Sequence, residues 1–317
     1  MILLVWAPFL IPFLAAPAAR RLADALPPRP ASWVLGATGV VLAGASAASL
    51  GLLAAAGLLR IPAVAALAHI SLPWLDEASP TAMVLATLAA TALVVAGVLT
   101  LHTAHQQYSD LRRARAALGP CTEAGGDDGH PLAVLDDDRA DAYALPGRPG
   151  RIVVTAGMLR ALPAPERAAL LAHERAHLTA RHHLFLAAAE YAAVLHPALR
   201  RLRAPLGFHL ERWADECAAR EVGDRAVTAR AVGRAALAAA RTPHPARPLL
   251  APAATAGPVP RRVAALLSPH PRTGRRRRVA AALALAACLT VSTAATAAAT
   301  RDLHHTVESA QLAAGGR

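Results

Sequence analysis

The sequence predicts a mainly α, polytopic membrane protein with about four transmembrane helices and a cytoplasmic α+β segment placed between the third and fourth of them. Three observations predict this. Uncharged apolar stretches at about 1–19, 32–59, 81–101 and 279–300 approach or exceed the roughly 20 residues that a helix needs to cross a hydrocarbon core. Charged residues make up 17% of the 317 and apolar ones 55%, whereas a soluble domain carries about 25% charge. Finally, arginines gather at the ends of the apolar stretches, where they fix orientation.

The first stretch is followed, not preceded, by Arg20 and Arg21. A secretory signal carries its charge before the apolar region, so this one reads as a retained anchor with its N-terminus outside. Pro8, Pro12 and Pro17 are expected to bend or fray it. The first loop holds Arg20, Arg21 and Arg29, and the second sets Arg60 against Asp76 and Glu77. Arg112, Arg113 and Arg115 follow the third span, and Arg275 to Arg278 abut the fourth. One multi-pass arrangement in the plasma membrane satisfies every loop: N-terminus out, the segment from about 102 to 278 in the cytoplasm, and a loose tail, 301–317, outside.

The net charge of +12 arises from 33 basic residues that are all arginine, with no lysine and no asparagine. With the abundant Ala, Gly and Pro, this is the bias of a GC-rich coding genome, so no nucleic-acid partner is expected. The Arg275 to Arg278 run reads as a topological anchor because it touches an apolar segment. Cys121, Cys217 and Cys288 are too few and too scattered for a disulfide framework, and a reducing compartment follows.

Residues 1–105 thus form a membrane domain, 106–241 a cytoplasmic domain, 242–278 a Pro/Arg-rich linker, and 279–300 the fourth span. In the cytoplasmic domain, Ala142 to Leu145 and Arg151 to Thr155 read as a β-hairpin around a Pro/Gly loop. Pro163 and Pro165 open a long helix that is expected to end near His196. Further helices are expected at 206–222 and 226–241.

The first of these helices carries His173, Glu174 and His177 as H-E-x-x-H, a pattern that arises by chance about 0.02 times in a chain of this composition. Histidines four apart lie about 40° apart on one helical face, so both imidazoles reach one metal ion. Zinc suits such donors and lowers the pKa of bound water toward about 7, with Glu174 beside it as general base and then proton donor to a leaving amine. One Zn(2+) per chain needs a third protein ligand. Glu211 supplies it, and Asp215, one turn on, is placed to orient a ligating histidine.

The His173 to His177 motif followed by Glu211-Arg212-Trp213-Ala214-Asp215 resembles the gluzincin peptidases of the M48 and M56 families, the latter including the antibiotic-sensing BlaR1-type proteases. The segment Pro260 to Leu267 is similar to one that precedes the last span of M56-like proteins. The resemblance covers roughly half the chain and implies a zincin-like metallopeptidase domain. It also implies a protein substrate at the bilayer, a transcriptional repressor by likeness to M56 or a membrane protein by likeness to M48. The penicillin-binding sensor of BlaR1 has no counterpart in residues 301–317. Zincins hold substrate along an edge strand, so Arg151, Ile152, Val153, Val154 and Thr155 are the expected substrate edge. His209 is an expected substrate or oxyanion contact.

His182 and His183 would lie about 180° and 280° from His173 on a continuous helix, which favours a solvated or headgroup-facing role. Asp136 to Asp138 lack the spacing of a calcium loop and read as a solvated turn. Cys217 points away from Glu211 and reads as a small apolar residue. Two other classes compete with a zinc metalloendopeptidase. A catalytically silent scaffold with a structural zinc would not need Glu174. A metal transporter would place ionisable residues inside the spans, which hold none.

Overall fold

The computed structural model describes residues 2–67, 80–118, 123–124, 131–241, 250–251, 258–268 and 275–315. Cys121, the acidic pair of the second loop and much of the expected linker lie outside the described residues. In chain order the helices are α1 (Ile2–Ala23), α2 (Pro28–Leu58), α3 (Pro62–Leu67), α4 (Pro80–Ala117), α5 (Ala156–Ala161), α6 (Ala164–Thr179), α7 (His182–Leu195), α8 (Arg203–Val222), α9 (Arg225–Ala240), α10 (Val259–Leu267) and α11 (Arg275–Gly315). The strands are β1 (Glu123–Ala124), β2 (Leu132–Leu135), β3 (Ala142–Leu145) and β4 (Arg151–Thr155).

The protein is mainly α with one small sheet, and three described helices are long and apolar enough to cross a membrane: α2, α4 and α11 over 275–312. At 1.5 Å per residue α4 extends about 57 Å, so it continues well beyond a core about 30 Å thick. The expected first span forms α1, which keeps its three prolines inside the helix and packs on α2 and α11. The tail expected to be loose is instead the continuation of α11 as far as Gly315, since its Ala-rich sequence has no helix breaker before that glycine.

The sheet order is β1-β2-β4-β3, with β2 parallel and β3 antiparallel to β4. The hairpin forms in the expected place, but β4 is not an edge. It is hydrogen-bonded on both sides, which removes Arg151 to Thr155 as a substrate edge because neither side has main-chain groups to offer. Its side chains are equally committed. Val154 packs with Met158, Leu162 and Leu170, Ile152 with Leu178, and Val153 with Leu118 and Leu145 on the opposite face. Burying each such aliphatic side chain contributes about 1.5–3 kcal/mol, which explains why the run of β-formers from Ile152 to Thr155 settles at the centre. The end of α4 supplies Leu111 and Ala114, and the next residue Leu118, to one face of the sheet, and α6 covers the other.

Thr155 closes β4 and caps α5: its Oγ1 accepts from Met158 N at 3.2 Å and from Asp141 N at 2.8 Å. Two residues on, Gly157 N donates to Asp137 O at 2.8 Å, and a Cβ there would stand 2.0 Å from the backbone oxygen of Asp138. Backbone cannot swing aside, so Gly157→Ala is expected to lose about 1–3 kcal/mol of stability. A thermal melt in detergent checks this, and an unchanged melt contradicts the packing at this corner.

The helix expected to run unbroken from Pro163 to His196 divides at Ala180–Arg181. Arg181 adopts a left-handed backbone with φ 53°, and α7 leaves in a new direction. A six-residue 3-10 turn, Pro197–Leu202, then reverses the chain into α8. The largest apolar core joins Ile11, Leu35 and Leu42 of α1 and α2 to Leu199 and Leu202 of this turn and to Leu206, Leu210 and Trp213 of α8. The expected linker also holds more structure than a linker. Its residues 259–267 form α10, whose Val259, Val263 and Leu266 pack with Ala219, Ala229 and Val232 of α8 and α9. Arg225 secures the end of α10 by donating to the carbonyls of Ala265 and Leu266 at 3.1 and 2.9 Å.

Candidate metal centre

Helix α6 starts at a proline-marked boundary and presents Leu170, Ala172, His173, Glu174, Ala176 and His177 to the interior. Its four-residue spacing puts both imidazoles on the face turned to α8. The Nε2 atoms of His173 and His177 stand 3.0 Å apart, with the rings close to perpendicular at 72°. From α8, Glu211 brings Oε2 to 3.5 Å from His173 Nε2 and Oε1 to 3.5 Å from His177 Nε2. All three residues are buried, and their donor atoms lie within 4.8 Å of one another.

The donor set fits a metal ion. Tetrahedral zinc with bonds of about 2.0–2.1 Å separates its ligand atoms by about 3.3 Å, close to the spacings seen here. Without a cation, two buried imidazoles would turn their metal-binding nitrogens on each other and on a carboxylate. His173, His177 and Glu211 would hold the ion. Asp215 Oδ1 lies 3.0 Å from His173 Nδ1, the ring nitrogen away from the cluster. Glu174 is fully buried on the next position of α6.

Two residues that the sequence reading did not place at this site complete the surroundings. Arg262 of α10 is completely buried and grips Asp215 in a fork, Nη2 to Oδ1 at 2.6 Å and Nε to Oδ2 at 2.9 Å. Its Nη1 lies 3.0 Å from Glu211 Oε2. The signal was present in the sequence: Val259, Arg262, Val263 and Leu266 fall on one helical stripe, so an arginine replaces an apolar residue on the buried face. The second is His182. It is fully buried, with Nδ1 2.7 Å from His177 Nδ1 and its ring 4.7 Å from that of Trp213. The solvated role expected for His182 fails because the helix is not continuous. Nothing between Thr179 and His182 announces the break, since arginine rarely takes a left-handed backbone, at a cost of about 1–2 kcal/mol. His183 is half-buried and lines a cleft with Arg181 and the 146–150 loop.

Burial opposes charge throughout this cluster. At His173 the hydrogen bonds to Asp215 and Glu211 outweigh burial and raise the imidazole to about 9. Burial and the neighbouring His173 and His182 hold His177 well below its usual range. Burial would raise Asp215, but Arg262 beside it keeps its carboxyl at about 2. Arg262 thus favours the anionic form of Asp215.

The other expected site residues lie elsewhere. His209, two residues before Glu211, points to the far side of α8, with Nε2 3.8 Å from Asp24 Oδ1 and its ring against Phe208. Burial holds it down at about 4. Its place is the junction with α1, because two steps along a helix turn a side chain by about 200°. Cys217 packs at the edge of the large core, with Arg220 donating to its sulfur at 3.0 Å.

Two histidines four apart and a carboxylate from a neighbouring helix, with an acid one turn further, form a buried cluster between two helices that could hold one metal ion. Residues 112–200 match the family model for Peptidase family M48. The matched region takes in the end of α4, the sheet, α6 and α7, and stops before Glu211, Asp215 and Arg262. It supports a metallopeptidase. No match was found among curated proteins or among solved structures.

Proposed function

We propose that this chain is a membrane-anchored zinc metalloendopeptidase that hydrolyses peptide bonds of a protein substrate at the cytoplasmic face of the plasma membrane. The observation that carries this reading is the convergence of His173, His177 and Glu211 on one point, with Glu174 buried beside them. The likeness to M48 supports a membrane-proximal protein as substrate, and the charges at the ends of the spans support the cytoplasmic side. The bilayer is then a partner as much as the substrate is. When bound, zinc supplies Lewis-acid polarisation of the scissile carbonyl and acidifies water.

The chain's own groups do the rest. Glu174 removes a proton from the attacking water as the C–O bond forms, and delivers it to the amine nitrogen as the C–N bond breaks. Asp215, with Oδ1 3.0 Å from His173 Nδ1, favours the proton on that nitrogen and so leaves Nε2 for the cluster. Arg262 balances the charge of Asp215 and Glu211, and beside Asp215 it favours the ionised carboxylate.

Metal analysis and casein digestion by the detergent-purified full chain test the proposal. About one zinc per chain is expected. A strong chelator should abolish cutting, and added zinc should restore it. A wild-type chain that binds no metal, or that cuts equally well after chelation, overturns the assignment.

A further inference from the structure

A histidine that binds metal through one ring nitrogen leaves the other to be satisfied, and the group that satisfies it sets the tautomer and the tilt of the ring. The two histidines of this centre are backed differently. His173 turns its outer nitrogen to the carboxylate of Asp215 at 3.0 Å. His177 turns its own to another imidazole, Nδ1 to Nδ1 at 2.7 Å, with the rings almost perpendicular at 82°. We propose that His182 is a positioning residue for the metal centre: its Nδ1 accepts the Nδ1–H of His177 and keeps the Nε2 lone pair of His177 directed at His173 and Glu211. The proposal rests on reading those three residues as metal ligands.

The backbone is shaped for this contact. On an unbroken helix, residues five apart lie about 140° around the axis, and their side chains do not meet. The left-handed Arg181 breaks the helix one residue before His182 and turns the imidazole back on α6. The ring is then held on its other sides by Trp213 at 4.7 Å and Phe185 at 6.5 Å. Trp213 belongs to the same helix as Glu211, so α8 supplies both the third ligand and the wall behind His182. Outside this wall, the guanidinium of Arg29 lies 5.5 Å over the Trp213 ring, and Trp33 meets Phe185 edge-on, both from the first turns of α2. No carboxylate takes the place of His182 in the described surroundings of His177 Nδ1.

The test uses the full chain in detergent with cobalt(II) alone as probe, reading both the affinity against a competing chelator and the visible absorption of the bound ion. His182→Phe keeps a ring among Trp213 and Phe185 but offers no acceptor. It should weaken cobalt binding by about 10–100-fold and alter the spectrum. His182→Gln, whose side-chain carbonyl accepts the same N–H, should stay near wild type in both. Two results overturn the proposal: His182→Phe binding as tightly as wild type with an unchanged spectrum, or both variants losing affinity equally in step with their melting temperatures, which would make the role one of packing. A wild type that binds no cobalt sinks the metal-site reading itself, whereas a loading wild type with an indifferent His182→Phe sinks this inference alone.

Discussion

Glu174→Gln is expected to keep about one zinc per chain and to cut substrate on the order of 10²–10⁴-fold more slowly than wild type. The side chain is fully buried and sits between the two histidines in sequence without joining their donor cluster. Glutamine has nearly the same shape, so the ligands should hold their places while the base is lost. Side-by-side metal content and single-turnover cleavage of casein separate the two effects. If the variant cuts at the wild-type rate, another group moves the proton. If it loses its metal, Glu174 belongs to the ligand set.

Arg262→Ala is expected to produce the largest loss of stability. Arg262 is wholly buried and pairs with two carboxylates that are themselves buried, Asp215 and Glu211. Removing one partner of a buried ion pair strands the other, typically at about 3–5 kcal/mol. For a domain of this size that lowers the melting temperature by roughly 6–20 °C. The loss should be greatest without metal, because a divalent cation at Glu211 restores part of the missing positive charge. Melting curves of both proteins with and without zinc check this. Equal melting of the metal-free proteins would mean that the fork from Arg262 to Asp215 contributes no net stability.

The clustering of His173, His177 and Glu211 was legible because helix periodicity alone places His173 beside His177, and because Glu211 and Asp215 repeat the same four-residue step on a second helix. The helices over 206–222 and 226–241 were readable for the same reason, as was the hairpin, whose strands are marked off by Pro146, Gly147, Pro149 and Gly150. Long-range pairing was not readable. That β4 lies between β2 and β3 depends on Leu132 to Leu135 pairing with Ile152 to Thr155, which no local pattern encodes. His182 was misplaced by the geometry that placed His177, since a rule of 100° per residue fails at the first residue that leaves the helix. Arg262 was read as part of a proline-rich connection. Only the apolar residues around it show that an arginine has been taken inside.

Helix α8 belongs to two environments at once. One side carries Glu211 and Asp215 to the metal centre, and the other sends Leu206 and Leu210 into the core shared with Leu35 and Leu42 of α2. The anchor is therefore part of the scaffold that positions Glu211. Cutting the chain between α2 and α8 would expose that shared face, so the two halves fold and fail together. A detergent that pries α2 from α8 would inactivate the centre from behind, by tilting a rigid rod without ever touching a ligand.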